Sequence, residues 1–239
     1  MTMIEAKNLT KRFGALTAVN DVSFSVAVGD VVGFLGSNGA GKSTTMRLLT
    51  GFFDADAGSV RIGGHDMASA RREGQACLGY LPEAAAGFPN LTVREFLAFC
   101  GESRNLFGRE LGAAVDRVCS LIDLEAALDK PMKSLSKGWR QRAWLGQAIL
   151  HDPPVLILDE PTDGLDPIQK EQVRALIRSV ALKKAIILST HILEEAEEIC
   201  TRAVIIAGGR IVADDTPGNL ADDKGRIADS FRRLAGSAP

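Results

Sequence analysis

The run Gly36-Ser37-Asn38-Gly39-Ala40-Gly41-Lys42-Ser43, with Thr44 behind it, fits the spacing G-x-x-x-x-G-K-[ST]. Glycines at these points let the backbone turn its N–H groups toward phosphate oxygens, where side chains would obstruct. Lys42 offers a point charge to β- and γ-phosphates, and the Ser43 hydroxyl is a ligand type suited to Mg²⁺. A second chemical site lies in Val155-Leu156-Ile157-Leu158-Asp159-Glu160-Pro161. There an apolar strand would deliver Asp159 to the metal shell, while Glu160 could orient and polarise an attacking water. Two carboxylates after an apolar strand are common in themselves; beside the glycine-rich loop they point to phosphoryl transfer to water.

These residues need a scaffold that brings two loops to one sheet edge. Val31 to Leu35 is a continuous apolar run, the pattern of a strand buried on both faces, and it feeds straight into the glycine-rich loop. Helical spacing follows from Lys42 to about Thr50, so a helix N-terminus should aim at the phosphates. Further buried strands are expected at Cys77 to Leu81, Val155 to Asp159, Ala185 to Ser189 and Ala203 to Ala207. Helical patterns separate them, which implies a mostly parallel sheet with crossover helices. Ligands bind such open sheets at the C-terminal strand ends. Ile4 to Asn8 and Val22 to Val26 alternate instead, as half-buried antiparallel strands do.

Between Pro82 and Leu150 strands disappear and amphipathic helices take over, about Val93 to Glu102, Gly108 to Ile122 and Gly138 to Ile149. The expected fold class is therefore α/β: a phosphate-loop core with a mostly parallel sheet, an N-terminal antiparallel β subdomain and an inserted α-helical subdomain. In residue terms, 1–82 and 151–225 form the core of one domain, 83–150 the helical insertion, and 226–239 a short helix and tail. Ile227, Phe231 and Leu234 give that last helix an apolar docking stripe.

Composition excludes several classes. The 28 Lys and Arg against 30 Asp and Glu leave a formal charge of −2, without the basic excess of a nucleic-acid or membrane-surface binder. Cys77, Cys100, Cys119 and Cys200 are widely spaced, with no metal-ligand pattern, and read as reduced core thiols. No stretch approaches the roughly 20 apolar residues of a membrane helix, and no secretory signal opens the chain. The reading is a cytoplasmic protein that does not insert directly into a membrane.

Other residues narrow the class. Leu135-Ser136-Lys137-Gly138-Trp139 resembles the LSGGQ signature of ABC-transporter nucleotide-binding domains, and Arg140-Gln141-Arg142 follows as in many members. Gly164-Leu165-Asp166-Pro167 is similar to that family's D-loop, Ser189-Thr190-His191 to its switch histidine, and Leu81-Pro82-Glu83 to its Q-loop. Phe13 matches the aromatic residue that stacks on adenine. The resemblance spans residues 3 to 215, with every motif in family order. It implies an ATP- and Mg²⁺-dependent ATPase, with Glu160 as base and His191 as γ-phosphate sensor. It also implies two subunits facing head to tail around two ATP molecules, most simply as a homodimer. Ser136 and Gly138 then contact the γ-phosphate from across the interface, and Asp166 of the D-loop belongs to the nucleotide site. Separate transmembrane permease subunits would hold the chain at the cytoplasmic face of the cell membrane, and the signature form resembles a bacterial exporter branch. Soluble family members acting on ribosomes or DNA are the alternative, as is membrane-partnered mechanical work without transport.

The chain departs from the pattern at two points. Glu83 replaces the usual Gln, adding charge near the metal while keeping oxygen ligands for it. Trp139 replaces the signature Gln, most simply for packing, and Lys137 faces either the phosphate across the interface or solvent. His65 and His151 read as surface or turn residues, Trp144 as core-facing, and Glu194, Glu195, Glu197 and Glu198 as a solvated helix face. Phe88, in the segment Ala84 to Pro89, is either exposed for a membrane subunit or a buried anchor.

Overall fold

The computed structural model describes residues 1–83, 87–222 and 225–236. The expected interval Ala84 to Pro89 therefore falls partly outside the described residues, as does the end of the tail. In chain order the elements are β1 (Thr2–Phe13), β2 (Leu16–Ala27), β3 (Val31–Leu35), α1 (Lys42–Leu49), β4 (Ala57–Ile62), β5 (His65–Asp66), α2 (Arg71–Ala76) and β6 (Leu78–Leu81). Then follow α3 (Val93–Glu102), α4 (Gly108–Leu121), α5 (Lys137–Ile149), β7 (Val155–Asp159), α6 (Pro167–Ala181) and β8 (Ala185–Thr190). The chain closes with α7 (Leu193–Ile199), β9 (Arg202–Ala207), β10 (Arg210–Asp215), α8 (Pro217–Leu220) and α9 (Ala228–Gly236).

Two sheets result. An antiparallel one has the order β2-β1-β4-β5; the larger has the order β10-β9-β3-β8-β7-β6. In the larger sheet every pairing is parallel except β9 with β10. Its central strands are buried throughout, yet their side chains still alternate between two cores. Val155, Ile157, Ala185 and Ile187 face the antiparallel sheet and α1. Leu156, Leu158, Ile186 and Leu188 face the cluster built around Phe96, Leu97 and Val118 from the helices. A continuous apolar run is thus what a strand covered on both faces requires.

Helices α3, α4 and α5 lie between β6 and β7 and share one apolar cluster with the sheet. Thr92 starts α3 with a reciprocal cap: its hydroxyl accepts from the Glu95 N–H, and the Glu95 carboxylate accepts from the Thr92 N–H at 2.7 Å. The last helix covers the other sheet edge, where Ile227 is fully buried beside Phe231 and Leu234.

Three of the cysteines sit in apolar surroundings as expected. Burial pushes Cys100 and Cys119 up to about 11 and Cys200 to about 12, which suppresses thiolate chemistry. His151 sits half-buried in the turn after α5, the turn alternative of the sequence reading. Burial and the nearby Arg104 guanidinium push its pKa down to about 4, against a lesser opposing pull from the Leu78 backbone. Between pH 6.5 and 4 the unfolded chain binds the proton and the folded one does not. Stability from this residue is therefore complete above pH 6.5 and lost as the pH falls through 4. Because the ring is partly solvated, the expected loss is discounted to about 1–2 kcal/mol. Thermal melts between pH 7 and pH 4 should be flatter for His151→Gln than for the parent; parallel profiles would remove His151 as the cause.

Candidate functional site: a phosphate cradle at the sheet edge

The loop after β3 reaches α1 through Gly41, which caps that helix with φ 109°. A Cβ at Gly41 would stand 2.5 Å from the Ala18 carbonyl oxygen, so the loop closes against β2 only because this residue has no side chain. The loop is braced from a second side by the β9–β10 turn. Gly209 donates its N–H to the Ala40 carbonyl at 3.0 Å and accepts from the Asn20 N–H at 2.8 Å.

A cavity of about 320 Å³ opens above the loop. The expected residues Phe13, Ser37, Asn38, Gly39, Gly41, Lys42, Ser43, Thr44, Glu83 and Glu160 all line it, while Gly36 and Ala40 lie beneath. Lys42 Nζ donates to the Gly36 carbonyl at 2.6 Å, folded back into the cradle. Burial lowers the Lys42 pKa, and Glu160, Asp159 and Glu83 pull it back up. Phe13, at the end of β1, is 43% exposed and rests edge-on against Phe53 with ring centroids 5.4 Å apart. A flat, half-exposed face at the cavity mouth is what a stacking base needs.

Strands β7 and β8 carry the acidic side. Asp159 is buried and accepts a hydrogen bond from the Ser189 hydroxyl; burial raises its pKa, and that bond opposes the rise. Ser43 Oγ donates to Glu83 Oε2 at 3.3 Å. Among the described residues no three His, Cys, Asp or Glu side chains form a metal cage. The oxygen set of Ser43, Asp159 and Glu83 suits Mg²⁺, which takes few protein ligands and completes its shell with phosphate and water.

Glu160 has a left-handed backbone, φ 50°, which turns the chain sharply at the strand end. Its N–H donates to the Ser189 carbonyl at 3.1 Å, and Gln141 Nε2 from α5 donates to its carbonyl at 3.1 Å. Its carboxyl lies 2.9 Å from His191 Nδ1. Burial raises the Glu160 pKa and the His191 contact lowers it. The result is a shielded carboxyl group, raised in basicity and oriented by an imidazole, at the mouth of a phosphate cradle.

Ser136, Gly138 and Asp166 are not brought to this cavity. Ser136 caps α5 by accepting from the Trp139 N–H at 3.3 Å, and Asp166 caps α6 by accepting from the Gln169 N–H at 2.9 Å. Lys137 is neither free nor aimed at the cavity: it pairs with Asp163 at 2.7 Å. Trp139 packs under the Arg142 guanidinium, 3.9 Å from its ring centroid. Phe88 is a partly exposed anchor stacked among Phe96, Phe99 and Trp144. The sequence reading missed Gly209 and Gln141. The first was signalled by the pair Gly208-Gly209 between two apolar runs, a hairpin sign; for the second, nothing in the local pattern marked the contact.

A phosphate loop on a mostly parallel sheet, with an acid and a histidine at the neighbouring strand ends, defines a nucleotide-hydrolysing cassette. The family model for ABC transporters matches residues 19–163. The Nod factor export ATP-binding protein I of Paraburkholderia xenovorans strain LB400 is 38% identical over 218 residues, covering 91% of this chain and 72% of the relative. The protein of that same name from Burkholderia lata is 36% identical over 222 residues, covering 92% and 73%. A solved ATP-binding subunit of an ABC transporter superposes with TM-score 0.89 at 30% identity, over 97% of this chain and 99% of that one. A dimeric bacterial ABC transporter cassette shares the fold, with TM-score 0.83 at 22% identity. The chain belongs to the ABC transporter family. It is the ATP-binding subunit, an ATPase whose turnover is coupled to transport.

Proposed function

We propose that this subunit drives export, binding ATP at the cradle and hydrolysing it with Glu160 as the general base. What carries the reading is the union, in one cavity, of Phe13, the loop residues Ser37 to Gly39 and Gly41 to Thr44, and Glu160, whose carboxyl is held from outside by His191. Phe13 would stack on adenine, and the loop N–H groups and Lys42 would hold the phosphates. Ser43, Asp159 and Glu83 would ligate Mg²⁺, which when bound neutralises charge on the phosphate oxygens. Glu160 takes a proton from water as that oxygen bonds to the γ-phosphorus and the β–γ bridging bond breaks, yielding ADP and phosphate. His191 holds the carboxyl in place and senses the γ-phosphate.

In the same reading a second copy of the chain completes each site. Ser136 and Gly138 at the start of α5, and Asp166 at the start of α6, serve the partner's nucleotide, which agrees with the capping roles of Ser136 and Asp166 away from their own cradle. Residues 1–82 and 151–225 act as the ATP-binding core, 83–150 as the helical unit carrying the signature, and 226–239 as a docking tail. Among the described residues no helix is long and apolar enough to cross a membrane. In this reading separate membrane subunits carry the transport path, with this chain at their cytoplasmic face. A groove of about 780 Å³ beside β6, lined by Phe52, Arg72, Tyr80 and Arg104, offers apolar surface and two cations for such a subunit. Export is supported by the relatives named for Nod factor export.

Affinity purification of the tagged chain from detergent-solubilised native membranes tests this. A polytopic membrane protein should copurify in stoichiometric amount. Recovery of the chain alone, or with ribosomes or DNA, would overturn the transporter role and leave the ATPase.

A further inference from the structure

We infer that Glu195 is a positioning residue that fixes the Glu160–His191 pair, acting through Thr162 and Thr190. The four glutamates of α7 suggest a solvated face, but Glu195 is only 1% exposed. Its Oε1 accepts from the Thr162 hydroxyl at 2.5 Å and its Oε2 from the Thr190 hydroxyl at 3.0 Å. Both threonines are buried, at 1% and 0% exposure. Thr162 lies two residues beyond Glu160, and Thr190 immediately precedes His191. The Thr190 oxygen also accepts from the Ile192 N–H at 3.0 Å, closing the turn that carries His191. One carboxylate thus fastens together the segments leaving two adjacent parallel strands, each of which holds one member of the pair.

The charge is answered from α6. Arg174 Nη2 lies 3.6 Å and Lys170 Nζ 3.9 Å from the Glu195 carboxylate. A buried carboxylate is poorly justified as a source of stability, because desolvation offsets what its pairing contributes. It is better justified by geometry. Glu160 has the left-handed φ of 50°, a conformation that persists only where surrounding contacts over-determine it. The Gln141 bond to the Glu160 carbonyl holds that turn from one side, and the Glu195–Thr162 bond holds it from the next. Loss of that hold would misplace the carboxyl relative to water, to which rates are steeply sensitive.

This inference rests on the reading of Glu160 as the base, so the experiment separates the two. Thr162→Val and Thr190→Val keep the shape of each side chain and remove the hydroxyl donor. Made together in the full chain, they should lower kcat about tenfold or more while leaving KM for ATP within about twofold. Thr162→Ser with Thr190→Ser keeps both donors and should restore kcat. In a Glu160→Gln background the valine pair should cause no further loss in single-turnover hydrolysis, since the group it positions is already gone. A folded valine pair with kcat within twofold of the parent overturns the inference, as does an equal further loss in the Glu160→Gln background. If Glu160→Gln alone turns over normally, it is the assignment of the base that fails. Should the valine pair prevent folding, the single substitutions are read by the same kcat and KM values.

Discussion

Glu160→Gln should cut ATP turnover about a hundredfold to ten-thousandfold while nucleotide binding survives. That corresponds to about 3–5 kcal/mol of barrier. The substitution is nearly isosteric, and a Gln oxygen can still accept from His191, now 2.9 Å from the Glu160 carboxyl. What is lost is the proton acceptor. Burial raises the pKa of this group, so the charged carboxylate is a stronger base than one in water, and an amide supplies none of that. Binding is expected to hold or tighten. The cradle has Glu160, Asp159 and Glu83 all acting on Lys42, and removing one negative charge eases the approach of a polyanionic phosphate. Phosphate release under saturating ATP gives the first quantity, and titration with a fluorescent nucleotide gives the second. Near-normal turnover would move the base elsewhere. Asp159, engaged by the Ser189 hydroxyl, is poorly placed to inherit the role.

The chemistry-bearing half of this molecule was legible because its requirements are local. A phosphate loop needs glycines and one lysine in a fixed order, and β3, β7 and β8 need apolar residues on both faces. What escaped was structure that solvent half covers. In β4 the alternation is confined to Ser59, Val60, Arg61 and Ile62, too short a run to stand out, and β10 has no fully buried residue. Six-residue α2, Arg71–Ala76, buries only Gly74 and carries no apolar stripe. The end of β1 was underestimated for the same reason, since Arg12 and Phe13 are exposed.

Long-range partners were harder still to read. A stretch holding Glu194, Glu195, Glu197 and Glu198 looks uniformly solvated, and only tertiary contact shows that the second of them is buried against two threonines. The surroundings of His151, placed in a turn as expected, were equally invisible, because Arg104 and the packing around it come from distant segments. The capping roles of Ser136 and Asp166 were readable in principle: Asp166-Pro167 followed by Gln169 is a helix-start pattern. Their resemblance to family motifs drew attention to nucleotide contact instead. The two roles are compatible, since a capped helix N-terminus keeps other N–H groups free for a phosphate.

Gly79→Ala should be among the most damaging single-methyl additions in the chain, and its reach should extend to the signature. Gly79 sits in β6 opposite Leu156 of β7, where α5 crosses the sheet. An added Cβ would lie 2.0 Å from the Ala148 carbonyl oxygen, 2.8 Å from Leu156 and 2.9 Å from Pro153. The first obstacle is helix backbone, which cannot rotate aside, so the C-terminal part of α5 must move by more than about 1 Å to restore normal contact. Gln147 Nε2 also donates to the Tyr80 carbonyl at 2.6 Å, tying the helix to this strand. Overpacking of this kind costs about 3 kcal/mol, equivalent to a melting temperature lower by roughly 6–12 °C in a domain of this size. The same helix carries Ser136 and Gly138 at its start and holds the Glu160 carbonyl through Gln141. ATPase activity measured well below the melting point should therefore fall as well, with monomer nucleotide affinity little changed because the cradle lies on other elements. Gly112→Ala, in α4 with nothing within 4 Å of the added carbon, supplies the contrast: it should raise stability by about 0.5–1 kcal/mol. Equal melting temperatures for the two variants would mean that α5 slides freely over β6, and that the close approach at Gly79 does not set the position of the signature.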